Sequence, residues 1–215
     1  YIDAKDYTFN RAQTGYIGEY DFNLSGNVGD RFYWGFTIGY HKVDYKHYGE
    51  YAERLNGFNI LVSDDREIYG EGFDIKGGLI VRPLEESAFR IGLSVASPTM
   101  YKLTTSNSTN VNIDGYNVVN GETLEYRLNT PWKFGVSLGH TIGQSLAIGA
   151  GYEYSDYGSL DSRYNTGGGY YDWHYGTYHE DSESDEVMNR HTEQTLKGVS
   201  TFKVGAEFKP VPEHS

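Results

Sequence analysis

Bulky apolar residues occupy every second position over long stretches of this chain, with polar residues or glycine between them. Tyr16, Tyr20, Phe22 and Leu24 are separated by Glu19, Asp21, Asn23 and Ser25. Beyond Val28-Gly29-Asp30 the pattern resumes with Phe32, Trp34, Phe36, Ile38 and Tyr40. Further runs carry Phe73, Ile75, Leu79 and Val81, then Phe89, Ile91, Leu93 and Val95, continuing past Pro98 through Tyr101 and Leu103. A long fifth run holds Leu124, Tyr126, Leu128, Trp132, Phe134, Val136, Leu138 and Ile142. The sixth has Leu146, Ile148, Ala150, Tyr152 and Tyr154, and the seventh Leu196, Phe202, Val204, Ala206 and Phe208 before Pro210-Val211-Pro212. Period two is the signature of a strand with two unlike faces, so about seven long strands are predicted.

Hairpin register supports antiparallel pairing of successive runs. Apolar side chains face one another when Leu24 lies opposite Trp34 and Phe22 opposite Phe36. The same holds with Leu79 opposite Ile91 and Ile75 opposite Val95, and with Leu138 opposite Ala150 and Phe134 opposite Tyr154. A one-residue slip would put every ring on the wrong side. The connections alternate in length: short turns on one side, and long polar loops expected at 46–65, 106–121 and 159–192 on the other. Tyr48 to Leu55 is expected to form a helical turn or two within the first of these loops. Short turns opposite long loops is the plan of an outer-membrane barrel, and the expected class is an all-β, antiparallel, up-and-down meander forming part of a transmembrane β-barrel. Residues 1–215 are taken as one partial barrel segment.

Composition narrows the partners. The chain has 215 residues and a formal net charge of −12, which excludes a basic nucleic-acid footprint. It has no cysteine, so neither a disulfide framework nor a thiolate metal site is available. Aromatic residues reach 16% and glycines number 27, a mixture suited to pleated sheet and unsuited to helix. No apolar run approaches the length of a membrane-spanning helix, and no basic-then-apolar signal peptide opens the chain.

The second face collects Gly35, Gly39, Gly78, Gly92, Gly135, Gly139, Gly149, Gly151 and Gly205, together with Asp74, Lys76, Arg90, Lys133, Glu153 and Lys203. A charge toward lipid is costly, so the rings are assigned outward, and Lys76, Arg90, Lys133, Glu153 and Lys203 become candidate lumen-lining residues. Lys133 and Glu153 are expected to form an ion pair there. Pro98 and Pro131 remove ladder donors and are candidate strand kinks at a similar height. Gly135-Val136-Ser137-Leu138-Gly139 matches the G-x-S-x-G pattern but lacks the strand-to-helix turn that exposes a nucleophile. His41, His47 and His140 read as isolated histidines. The aromatic, acidic stretch with Tyr170, Tyr171, Trp173, His174, Tyr175, Tyr178, His179, Glu180 and Asp181 fits no metal-ligand spacing and reads as a solvated loop. No catalytic, cofactor or metal constellation is expected, and the protein is not expected to be an enzyme.

Residues 72–83 (GFDIKGGLIVRP), followed by 89–101 (FRIGLSVASPTMY), resemble a central hairpin of the FadL/TodX family of outer-membrane transporters. The segments 128–134 and 150–157, and Phe202 through Pro210, fit the same family, with a Bacteroidetes flavour. The resemblance implies a fourteen-stranded porin-like barrel in the bacterial cell outer membrane, plugged by an N-terminal hatch. It implies passive uptake of hydrophobic small molecules, long-chain fatty acids or aromatic hydrocarbons, with outer-membrane lipid as the surrounding partner. The chain shows about seven strands and no hatch, so it reads as an internal fragment whose remaining strands and hatch lie elsewhere in the parent protein. The alternatives are a soluble lipocalin-like barrel binding a hydrophobic ligand, with its rings inside, and a structural or adhesive surface barrel.

Overall fold

The computed structural model describes residues 4–143 and 145–209, so Gln144 and the expected stop at Pro210–Pro212 lie outside it. The strands are β1 (Ala4–Val28), β2 (Phe32–Leu55), β3 (Asn59–Val81), β4 (Arg90–Ala96), β5 (Met100–Ile113), β6 (Tyr116–Asn129), β7 (Lys133–Ile142), β8 (Leu146–Asp156), β9 (Asp161–Asp172), β10 (Thr177–Ser184) and β11 (Gly198–Phe208). Among the described residues one α-helix, α1 (Glu186–Thr195), stands between β10 and β11, and a single 3-10 turn, Tyr157–Ser159, separates β8 from β9. All the strands belong to a single antiparallel sheet. Taken as continuous passes, β4 with β5, β6 with β7, β8 with β9 and β10 with β11 join β1, β2 and β3 to make the expected seven, each beside its predecessor. Among the described residues no ladder joins β1 to β10 or β11, so the sheet has two free edges.

The three long polar segments are not irregular loops. Residues 46–55 and 59–65 are the ends of β2 and β3, 106–121 is the end of the β5–β6 hairpin, and 159–192 contains β9, β10 and most of α1. The expected helical turns at Tyr48–Leu55 are strand as well. Polarity on both faces had suggested loops, but a strand beyond an apolar core keeps its ladder while both sides face solvent. The turn signal at the second tip was present as Asp114-Gly115, the pair favoured where both central residues need positive φ; they have φ 48° and 90°. At about 3.3 Å per residue the 23 residues of β3 reach roughly 75 Å, more than twice a bilayer core of about 30 Å.

Register follows from which side chains share a face. Leu138 pairs with Ala150 and Phe134 with Tyr154, as expected. In the first hairpin Leu24 pairs with Phe36, and in β3–β4 Leu79 pairs with Leu93, each two residues from the expected partner. A two-residue step preserves the face, which is why alternation could not distinguish the registers. Three rows run across the whole sheet: Leu24–Phe36–Gly77–Val95–Phe134–Tyr154, Gly26–Trp34–Leu79–Leu93–Val136–Tyr152–Phe202, and Val28–Phe32–Val81–Ile91–Leu138–Ala150–Val204.

The expectation that the apolar face continues past the prolines does not hold. Phe73 pairs with Met100, placing Tyr101 and Leu103 on the face opposite Ile91 and Leu93. The extra residue at Ser97–Thr99 is a bulge, which turns the strand over. Across from it, Leu124, Tyr126 and Leu128 of β6 follow Thr105, Leu103 and Tyr101 to that same face, while Phe134 and Val136 of β7 remain with Val95 and Leu93. Pro98 and Pro131 therefore mark one level in two neighbouring passes. There the Thr99 amide donates to Thr130 Oγ1 (2.8 Å) and the Thr130 amide to the Thr99 carbonyl (3.1 Å).

Candidate functional site

Below the level of the prolines, the sheet has one apolar face and one lined by small and charged groups. The apolar side chains stay open on their own side: Phe22 is 71% and Val204 89% exposed. The opposite face carries the rows Ser25–Gly35–Gly78–Ser94–Gly135–Glu153 and Asn27–Tyr33–Ile80–Gly92–Ser137–Gly151–Lys203. Cavities of about 850 Å³ and 520 Å³ lie against this second face, the larger over the glycine rows and the smaller beside the prolines.

Lys76, Arg90, Lys133, Glu153 and Lys203 all project to this face, as the alternation predicted. Lys76 lies in the row Asn23–Thr37–Lys76–Ala96–Lys133–Ser155, and Arg90 stands level with Gly139, Gly149 and Gly205. The expected Lys133–Glu153 ion pair is replaced by one from Lys203 Nζ to Glu153 Oε2 at 3.4 Å. The neighbour across the β8–β11 ladder lies within reach of Glu153. Among the described residues Lys133 forms no ion pair.

Of the four polar residues buried among the described ones, all but Ser155 line the smaller cavity, and His41 is one of them rather than an isolated histidine. Asp74, His41 and Thr99 are 3%, 7% and 8% exposed. His41 Nε2 is 2.8 Å from Asp74 Oδ2, so the ring donates from Nε2 to the carboxylate. Thr99 Oγ1 donates to the same oxygen at 3.0 Å. Lys76 Nζ contacts Glu19, lies 3.3 Å from Asp21 Oδ1 and stands 3.9 Å from Asp74 Oδ1. The Tyr101 ring meets the His41 ring edge-on at 5.7 Å.

Two glycines make room for this cluster. A Cβ on Gly39 would lie 2.4 Å from Asp74 Oδ1 and 3.0 Å from Asp21 Oδ1. One on Gly72 would lie 2.5 Å from the Tyr101 ring. Both glycines have direct ladder partners in the site, Gly39 opposite Asp74 and Gly72 opposite both His41 and Tyr101. The cluster joins residues 33 positions apart, through a β2–β3 register that none of the sequence pairings covered. Pairing Tyr40 with Phe73 and Ile38 with Ile75 would have brought His41 and Asp74 to one face.

Above the prolines the side that is apolar below turns polar, pairing Lys102 with Arg127 and Thr104 with Glu125, while Tyr101, Leu103, Tyr126 and Leu128 lie on the other side. Glu180 receives Lys102 Nζ at 2.7 Å and lies 3.6 Å from Arg127. Asp161 accepts from Ser184, from Asn189 of α1 (2.9 Å), from Asn129 (3.2 Å) and from Arg163 (3.3 Å), tying the helix to the break between β8 and β9. The G-x-S-x-G segment lies within continuous β7, so Ser137 has no nucleophile elbow.

No helix among the described residues is long and apolar enough to cross a membrane, which says nothing about crossing by strands. No protein-family model, curated protein or solved structure matches the chain.

Proposed function

We propose that this chain forms wall of an outer-membrane β-barrel through which small hydrophobic molecules pass without chemistry. One observation carries the reading: the apolar face is a band of bounded height, with glycine and charge directly behind it. β7, β8 and β11 contribute 10, 11 and 11 residues, against about 9–11 for a strand crossing a bilayer. Above the band the same side turns polar, with Lys102, Thr104 and Ser106 beside Arg127, Glu125 and Thr123, as hairpins leaving a membrane would require. The free edges at β1 and β10–β11 fit a sheet that further strands, or a second copy, complete into a closed barrel. A soluble lipocalin-like barrel would gather Trp34, Phe36, Phe134 and Tyr152 around its ligand. Here register puts those rings on the face opposite Gly35, Gly78, Gly135 and Glu153, which favours the membrane barrel.

The hydrophobic solute class comes from the FadL/TodX resemblance. Binding along the glycine rows would draw on apolar area buried, at about 25 cal/mol per Å². A second reading, conduction of small polar solutes, has specific support in Glu19, Asp21, Asp74, Lys76, Glu153 and Lys203 on the cavity face. Two measurements on the protein in lipid decide between them: uptake of a labelled long-chain fatty acid into vesicles, and single-channel conductance in a planar bilayer. Fatty-acid uptake without steady conductance supports hydrophobic passage. Conductance without uptake supports the polar pore, and failure to enter bilayers at all refutes both.

A further inference from the structure

We propose that Glu19, His41 and Asp74 form a binding site for one divalent transition-metal ion, of which Zn²⁺ is the representative. One carboxylate oxygen of Glu19, one ring nitrogen of His41 and one carboxylate oxygen of Asp74 lie within 4.8 Å of one another. Imidazole with two carboxylates is a donor set suited to zinc and its neighbours, whereas calcium takes oxygen ligands alone. Ligand atoms about 2.1 Å from a tetrahedral ion stand about 3.4 Å apart, so no pair of these atoms has to close by more than about 1.4 Å on binding.

Two further observations point to a cation. Asp74 is the most buried of the polar residues, and its Oδ1 is enclosed without a hydrogen-bond donor. Its nearest positive group, Lys76 Nζ, is 3.9 Å away and engaged with Glu19 and Asp21. Charge is also unbalanced. Glu19, Asp21 and Asp74 share the single ammonium of Lys76, so three carboxylates meet one lysine at the cluster, while Lys133 stands on the wall of the same cavity. A divalent ion held by Glu19 and Asp74 offsets that excess of carboxylates. Lys76 then keeps Asp21 as its partner, and Glu19 turns to the metal.

Binding frees a His41 ring nitrogen as a lone-pair donor, and any proton it carries leaves to water, so affinity falls in acid. Thr99 continues to donate to Asp74 Oδ2 and orients that carboxylate, the usual part of a hydrogen-bonding group behind a ligand. The site needs only β1, β2, β3 and the Thr99 bulge, so it stands whether or not the sheet belongs to a channel.

The test is titration of the whole chain, in detergent, with Zn²⁺ alone, followed by calorimetry and by metal content after dialysis. The expected result is one ion per chain, with affinity lowered about tenfold or more by His41→Ala and by Glu19→Gln. His47→Ala, which alters a histidine outside the cluster, leaves binding unchanged, and Lys76→Met binds at least as tightly as the parent. Glu19 is partly exposed, so Glu19→Gln keeps the test valid should a change at buried His41 prevent folding. Absence of stoichiometric binding in the parent chain overturns the proposal. So does binding that Glu19→Gln leaves unchanged in a folded protein.

Discussion

Exchanging the side chains of two adjacent residues in β4 separates a lipid-facing surface from a lumen-facing one. Leu93 lies at the centre of β4, three residues from Arg90 and from Ala96, and pairs with Leu79 on one side and Val136 on the other. At about 3.3 Å per residue and a tilt near 40°, it stands roughly 8 Å in depth from either end of the strand. Leu93→Arg therefore places a guanidinium near the middle of the apolar band, where it costs about 2–4 kcal/mol. That corresponds to a folding constant lowered roughly 30- to 700-fold, a tenfold change being about 1.4 kcal/mol. Ser94 is one residue further on and pairs with Gly78 and Gly135, so its side chain enters the glycine-lined cavity. Ser94→Arg should lower stability by well under half as much. The assay is urea titration of the protein folded into lipid vesicles, followed by tryptophan fluorescence and by the gel shift of heated against unheated samples. Equal loss in the two variants, or greater loss in Ser94→Arg, would refute the assignment of the rings to lipid.

Other outcomes follow from the cluster and from the polar hairpins. Gly39→Ala drives a methyl group against Asp74 Oδ1 and should destabilise the fold by about 1–3 kcal/mol, read in the same titration. Asp74→Ala leaves the buried His41 ring without its acceptor and should cost about 1–3 kcal/mol, while His41→Ala with Asp74→Ala together should cost less than the sum of the single changes. Burial pushes the Asp161 carboxyl upward, but hydrogen bonds from Ser184, Arg163 and Asn129 outweigh it and hold the group below its usual value of 3.8. Because its folded-state value is the lower one, Asp161 stabilises the β9–β10–α1 unit above about pH 3.8. That contribution disappears as pH falls through the folded-state value. Pepsin cleavage between residues 161 and 195 should accelerate over that acid range in the parent chain. In Asp161→Asn the same acceleration should be absent.

Alternation made the lower half of the sheet legible because each strand there has two unlike environments. Phe134 and Tyr154 could find each other from sequence, since one face of their hairpin had to be apolar. The upper half offered no such contrast. Glu71 and Lys102 pair directly across β3 and β5 with solvent on their side, and a polar strand then reads like a loop. His41 and Asp74 were missed for a different reason. Their meeting depends on register between β2 and β3, whose turn signal, Asn56-Gly57, lay inside a stretch read as a polar loop, and neither residue belongs to the apolar pattern that reports register. Lys203 reaches Glu153 across a ladder set by β8 and β11, which are separated by β9, β10 and α1. Residues so far apart in the chain gave no local cue to their pairing.

The two prolines explain why the apolar band ends where the buried cluster begins. Had the pass through Pro98 continued without a bulge, Tyr101 and Leu103 would have extended the apolar face by another two rows. Asp74 would then have lacked the Thr99 hydroxyl, and His41 its aromatic neighbour. The extra residue turns the strand over, so Tyr101 closes over His41 and Leu103 becomes one of the few buried apolar side chains. The partner pass turns over at Thr130-Pro131-Trp132, which sends Leu128 and Tyr126 after them and keeps β5 and β6 in an unbroken register with β4 and β7. One backbone device thus sets the upper limit of the lipid-facing surface and encloses the polar site immediately behind it. Deleting one residue from Ser97-Pro98-Thr99 should therefore undo both together. Met100 would rotate into the cavity, Tyr101 out of it, and the His41 ring would become open to water. Hydrogen–deuterium exchange at His41 C2, read by mass spectrometry, reports that exposure, and a ring that stays protected after the deletion would show that the bulge is not what encloses it.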